Sequence, residues 1–433
     1  MFFDVDFALP HGVEVKLNGS ANQTQRMRIT LDKSLGLNVE STAAKEMPSE
    51  PDAYDCTLHY NYWKPLHGVY LGDGAPSKDG ESIYVPVASP LPDLTDITKY
   101  NANNLQNEAR IGVEGGQVFS APNSLVVLSD RVLADVKDHL CNQFSHALKP
   151  EGRFPLHWHD KVTNLKGYPV DNKFFTLGIK EQSSGAFRHS YSYAARDFSR
   201  VRDEEEMVLD AQKGFRPPPP VAGAPAWVSP NTISPMDVSL GLVVAICVEG
   251  GIFLIDVKGK RVMEIPIPGT GREEAVRIDP IESVVYCAHE RSDKRGLMVT
   301  RMNANNQNDK HTVPLAGAVE PMVTNTNPPV GVNLNYHCKR AVSLIATSDA
   351  LFVSHGRKIY VLDKKSLAER QRVTLDLPCR LIQVRRGKVT TQTDPKYGGA
   401  RESYIVWAIG SVYIGDGHNR QKFQTSLYKI GIV

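Results

Sequence analysis

Residues 153–161 read RFPLHWHDK. His157 and His159 flank Trp158, and Asp160 follows. On a strand, side chains alternate, so the two imidazoles share one face and the indole takes the other. Two imidazoles on one face can ligate one metal ion, but such a site needs at least a third protein ligand. Spacing identifies none; the nearest later histidine is His189. His157 and His159 are thus the alternative metal ligands. The stretch itself reads as a polar, aromatic strand that binds no metal, and no cofactor is expected.

The densest basic cluster is RLIQVRRGK, residues 380–388. Arg380, Arg385, Arg386 and Lys388 can contact phosphate or an acidic partner surface, which makes them the candidate partner-binding residues. The competing reading is a solvated edge strand whose charges discourage strand-to-strand aggregation. GTGREEAV (269–276) lacks the GK[ST] of a phosphate loop, and no GxSxG elbow occurs. GDGAPSKDGES (72–82) and IGDGHNRQ (414–421) lack calcium-loop spacing and read as turns. No catalytic residues are identified.

Composition narrows the classes. Lys and Arg number 50 against 48 Asp and Glu, a net charge of +2, which does not favour a dedicated nucleic-acid binder. The 41% hydrophobic and 23% charged residues are those of a globular chain. Asp4 and Asp6 interrupt the first apolar residues, so no signal peptide is expected, and no apolar run is long enough for a membrane helix. Cys56, Cys141, Cys247, Cys287, Cys338 and Cys379 are scattered without CxxC. Reduced thiols and a cytoplasmic or other intracellular location, not secretion, are the expectation.

The positioning elements are clearest in the second half. LVVAICV, GIFLIDV and RVMEIPI follow one another between residues 242 and 267, separated by Gly250-Gly251 and Gly259-Lys260. Short β-branched runs between Gly turns predict a β-meander. The pattern recurs as AVRIDP, SVVYCAHE, GLMVTRMN and KHTVPLAG, then AVSLIATS, ALFVSHG, KIYVLDKK and RQRVTLDLP, then RLIQVRR, YIVWAIG, SVYIGDG and SLYKIGI. The first half reads as mixed β/α. Hairpin-like alternation covers 11–34, and strands are expected at 82–88, 117–129, 173–179 and 189–195. Helical spacing at 132, 133, 136, 140 and 144 predicts a helix over 130–148, and a second, charged helix is expected at 199–213. FRPPPPVAGAPAW opens a Pro-rich linker or strap at 215–229.

GGIFLIDVKGKRVMEIPIPG and GRKIYVLDKKSLAERQRVTLDLP resemble blades of the β-propeller repeat superfamily, of the YVTN and quinoprotein-like kind. In those, a strand ending in Asp is followed by a turn and a strand ending near Pro. The resemblance covers about residues 230–433. It implies a propeller-like domain there, after a mixed region 1–214 that can contribute blades. It further implies a non-catalytic interaction or assembly subunit of a larger intracellular or particle complex, docking protein partners through loops and rim, with no membrane contact. The alternative is a propeller-type hydrolase, lyase or oxidoreductase with a dispersed site at the central channel. His157, His159, His289 and His355 would be its candidates. His289 and His355 both end second-strand runs, and equivalent positions in different blades can converge.

Overall fold

The computed structural model describes residues 27–31, 37–41, 60–66, 74–87, 96–112, 125–136, 140–155, 161–168, 173–181, 187–194, 207–209, 236–238, 243–248, 251–256, 261–266, 273–279, 282–291, 296–317, 341–390, 400–415 and 421–432. None of these is helical.

A hairpin of β1 (Met27–Leu31) and β2 (Leu37–Ser41) precedes β3 (Tyr60–Leu66). Sheet 1 is β4 (Ala75–Pro76), β5 (Ser82–Val87), β6 (Asp96–Asn101) and β7 (Asn107–Gly112). Sheet 2 is β8 (Leu125–Val127), β9 (Val132–Val136), β10 (Leu140–Phe144) and β11 (Pro150–Pro155). Sheet 3 is β12 (Lys161–Tyr168), β13 (Lys173–Glu181), β14 (Phe187–Ala194) and β15 (Met207–Leu209). Sheet 4 is β16 (Met236–Val238), β17 (Val243–Val248), β18 (Gly251–Asp256) and β19 (Arg261–Pro266). Sheet 5 is β20 (Glu273–Asp279), β21 (Val284–Glu290), β22 (Gly296–Asn303) and β23 (Asn306–Ala316). Sheet 6 is β24 (Val342–Ala346), β25 (Ala350–His355), β26 (Lys358–Asp363) and β27 (Glu369–Thr374). Sheet 7 is β28 (Cys379–Thr390), β29 (Ala400–Gly415) and β30 (Gln421–Ile432), with β3 added outside β30.

All pairings are antiparallel and, β3 excepted, run between sequence neighbours. The first strands touch in a cycle: β4 to β8, β8 to β12, β12 to β16, β16 to β20, β20 to β24, β24 to β28, and β28 back to β4. Four-stranded antiparallel sheets in such a cycle have a β-propeller-like arrangement, each sheet being a blade.

The core is a series of layers between blades. One layer joins blade 5 to blade 6 through Tyr286, Ala288, Leu344, Leu351 and Val353, and another joins blade 6 to blade 7 through Phe352, Val361, Leu381, Val406 and Tyr428. A blade packed on both faces buries both parities of its strands, so β21 (VVYCAHE) and β25 (ALFVSH) are buried at every position. That is why these strands read as unbroken apolar runs. Cys141, Cys287 and Cys379 are buried.

Two sequence expectations are corrected. None of the described residues within 130–148 is helical: β9 and β10 pair there as antiparallel neighbours. Its register pairs Val136 with Leu140 and Val132 with Phe144. A spacing of four is a multiple of two, so residues 132, 136, 140 and 144 share one hairpin face as readily as one helix face. Within 199–213, Met207–Leu209 is strand β15, paired with β14, and the other residues lie outside those described. Of the hairpin-like stretch 11–34, residues 11–20 lie outside those described, and Met27–Leu31 pairs with Leu37–Ser41. The Pro-rich segment 215–229 also lies outside them.

The last blade departs from the expected meander. YIVWAIG and the SVYIG that follows it are one strand, β29, and the fourth strand is β3 from the other end of the chain. Gly410 between the two runs makes no turn; it pairs with Cys379 and Ser426. A Cβ there would lie 2.7 Å from Leu377 Cβ and 2.9 Å from Tyr428 Cε2, so glycine permits close packing rather than reversal.

Candidate functional site

The basic cluster lies on β28, the first strand of blade 7. Arg385 and Arg386 are consecutive and reach opposite neighbours, as strand alternation requires. The Arg385 guanidinium bonds Glu81 at 3.0 Å and the Asp79 carbonyl at 2.6 Å, both in the β4–β5 turn of blade 1. The Arg386 guanidinium pairs with Asp349 of blade 6 at 2.9 Å. Arg380 donates to the Val342 carbonyl on β24. Lys388 is paired in register with Glu402. A bulge between Leu381 and Gln383 turns Ile382 and Gln383 toward blade 1; Ile382 joins its core and Gln383 donates to the Gly80 carbonyl at 3.4 Å. Three of the four predicted partner-binding residues therefore bond neighbouring blades.

Two neighbouring seams, between blades 6 and 7 and between blades 5 and 6, contain polar hubs. Between blades 6 and 7, Asp349 accepts from Tyr404 and from Thr347 at 3.3 Å, and Arg370 stands 3.8 Å away. Burial pushes the Asp349 carboxyl up, but the Tyr404 hydroxyl and the Arg386 guanidinium outweigh it and hold the group below the usual carboxylate value. Tyr404 is pushed up to about 12 by burial and by the same carboxylate. Between blades 5 and 6, the Lys364 ammonium pairs with Asp279, lies 3.7 Å from Glu282 and donates to the Ser348 carbonyl at 3.3 Å. Lys364 and Asp279 are only 4% and 2% exposed, which makes this a buried ion pair.

A second device repeats around the ring. An aromatic residue on the second strand of one blade donates to the turn between the third and fourth strands of the next. Trp407 Nε1 donates to the Ala102 carbonyl at 2.7 Å, Tyr84 to His146 at 2.9 Å, and Tyr286 to Lys364 at 3.2 Å. In each case the acceptor directly follows the residue that caps the turn. Asn101 Oδ1 accepts from the amides of Asn103 and Asn104, Asp363 Oδ1 from those of Lys365 and Ser366, and Ser145 Oγ from that of Lys149. Phe352 occupies the corresponding place facing blade 7 and has no donor. Blade 7 has no such turn to receive one, because its third and fourth strands come from opposite ends of the chain.

The histidines of the enzyme alternative do not converge among the described residues. His289 Nε2 bonds Thr300 Oγ1 at 3.1 Å, and Thr300 bonds Thr312 at 3.0 Å, a chain across the outer strands of blade 5. Burial holds the His289 imidazole below its ordinary value. By parity with Val285 and Cys287 it shares the blade 4 side of β21, whereas His355 shares the blade 5 side of β25 with Leu351 and Val353. His355 stacks on Tyr360 at 6.4 Å. His157, Trp158 and His159 lie outside the described residues. No group of three metal-ligating side chains occurs among the described residues.

Sequence reasoning missed Asp279, Asp349, Lys364, Trp407 and Lys429 as seam residues. The one available signal was the repeated turn, NANNL at 101–105 and DKKSL at 363–367. No family model matches this chain, and no curated protein matches it. Among solved structures it is similar to BamB from Moraxella catarrhalis, at 8% identity and a TM-score of 0.43, over 83% of this chain and 86% of that one.

Proposed function

We propose that the chain is one propeller-like ring, with both halves contributing blades, that serves as a non-catalytic interaction subunit. It would dock protein partners within a larger intracellular or particle assembly. The observation that supports this reading is the length of blade 7. Strands β28, β29 and β30 have 12, 16 and 12 residues, against six for β17, β18, β25 and β26. At about 3.3 Å per residue, β29 spans roughly 50 Å and a six-residue strand about 20 Å. The register of β28 with β29 ends at Gly410, and that of β3 with β30 ends at Thr425. Beyond them, Val412–Gly415 pairs with Gln421–Gln424 as a two-stranded ribbon among the described residues. A ribbon presents main-chain edges and alternating side chains, which is how strand-addition interfaces recognise partners.

The test shortens the ribbon. Residues 412–424 are replaced by a two-residue turn, and intact and shortened proteins are used to capture partners from the native source. A stoichiometric protein held by the intact chain and lost from the shortened one, with the fold unchanged by circular dichroism, is the expected result. Equal capture by both, or no stoichiometric protein partner, would overturn the reading.

A further inference from the structure

Blades 7 and 1 hold the two ends of the ring's connectivity, and their seam carries a closed polar circuit. On blade 7, the Lys429 ammonium donates to the Asn103 carbonyl at 2.7 Å. The Asn103 amide donates to Glu81 at 2.9 Å, and Glu81 accepts from Arg385, which returns to blade 7. The two cations also share one indole: Arg385 lies 5.6 Å and Lys429 5.7 Å from the Trp407 ring centre. Lys429 is only 1% exposed. We propose that this circuit is a pH-sensitive latch on ring closure, in which proton loss from Lys429 tightens the blade 7–blade 1 seam and protonation loosens it.

The charges around Lys429 set the direction. Arg385, from β28, opposes a second positive charge beside the same indole. Glu81, from the β4–β5 turn, favours it but is already shared with Arg385 and Asn103. The β6–β7 turn offers the neutral Asn103 carbonyl, and the register partner on β3 is Tyr62. Burial, then Arg385, depress the amine from 10.5 to about 8. A closed seam that prefers the neutral amine is most stable above the ordinary lysine value and loses that stability as pH falls toward about 8. An opened seam returns Lys429 to water and to its ordinary affinity for protons. Opening therefore becomes easier by on the order of tenfold between about pH 9.5 and about pH 7.

Two equivalent turns provide an internal control. The Leu105 amide donates to the Asn101 carbonyl at 2.9 Å at this seam, and the Leu367 amide donates to Asp363 at 2.9 Å at the blade 5–blade 6 seam. Hydrogen exchange is measured at both, each rate divided by its intrinsic rate. The protection of Leu105 relative to Leu367 should rise about tenfold from about pH 7 to about pH 9.5 and stay level in Lys429→Met. Glu81→Gln, at a half-exposed site, should move the transition to lower pH, and this arm holds even if Lys429→Met does not fold. A level ratio in the unaltered protein, an equal rise in Lys429→Met, or an unmoved transition in Glu81→Gln would each overturn the latch.

Discussion

Trp407 and Ala102 are bonded across the ring closure: the indole N–H donates to the carbonyl at 2.7 Å, joining residues 305 positions apart. The same relationship joins Tyr84 to His146 and Tyr286 to Lys364. A turn carbonyl covered by the preceding blade would otherwise lose its water without gaining a donor. The aromatic residue thus supplies both apolar area and the required hydrogen bond.

Tyr286→Phe removes only the hydroxyl and leaves the Lys364 carbonyl without that donor. The expected cost is about 1–2 kcal/mol in denaturant unfolding. Phe352→Tyr should not be stabilising. Phe352 is fully buried against blade 7, edge-on to Tyr404 at 4.9 Å, and its added hydroxyl would find no turn carbonyl in the repeated position. A cost of about 1–3 kcal/mol is expected. A more stable Phe352→Tyr would show that the donor is not matched to the turn.

Strands were legible where burial on both faces wrote an unbroken apolar run, as in VVYCAHE and ALFVSH. Legibility failed where one spacing fits two geometries. Val132, Val136, Leu140 and Phe144 satisfy a helix and a hairpin alike, and only the pairing of Val136 with Leu140 decides. Gly410 resembled a turn because a sequence cannot show that Leu377 and Tyr428 crowd its α-carbon. The seam residues were hidden for a related reason. Arg385 is bonded to Glu81, 304 positions earlier, and no local pattern connects them. The basic cluster was visible as charge, but its partners are set by which blade each face of β28 meets.

The buried ion pair between Lys364 and Asp279 responds asymmetrically to substitution. Asp279→Ala leaves an ammonium that is 4% exposed, with Glu282 at 3.7 Å as its remaining carboxylate. A loss of roughly 3–5 kcal/mol is expected. Asp279→Leu combined with Lys364→Met removes both charges and should recover most of it. Unfolding of Asp279→Leu, Lys364→Met and the double variant closes the cycle, and additive losses would show that the pair is not coupled.

Asp349 sets part of the acid limit. Its carboxyl is held below the ordinary value in the folded chain, so its contribution is complete above that value and is lost as pH falls through the lower, folded one. Asp349→Asn cannot titrate. The fall in stability from about pH 5 to about pH 3 should therefore be smaller in Asp349→Asn than in the unaltered protein. Chemical unfolding midpoints at both pH values measure it, and identical falls would remove Asp349 from the acid response.

Leu105, Leu148 and Leu367 adopt positive φ angles of 56°, 58° and 55°, each in a turn between third and fourth strands. A leucine in this region costs about 1–2 kcal/mol relative to its usual conformations, and glycine would remove that strain. The strain is outweighed by what the side chain fills. Leu367 is 2% exposed in the layer between blades 5 and 6, beside Tyr286 and Tyr360. Deleting a buried leucine side chain costs about 2–5 kcal/mol, more when the surroundings cannot collapse onto the space. The aromatic residues here belong to two blades held apart by their own strand pairing, so collapse is limited. Leu367→Gly should consequently destabilise the chain by about 1–3 kcal/mol despite the relieved backbone. Leu367→Asn, whose backbone tolerates the same angle but whose amide would enter an apolar layer, should cost at least as much. Thermal and denaturant unfolding of both variants test the balance. A stabilised Leu367→Gly would mean that strain, not packing, dominates at this turn.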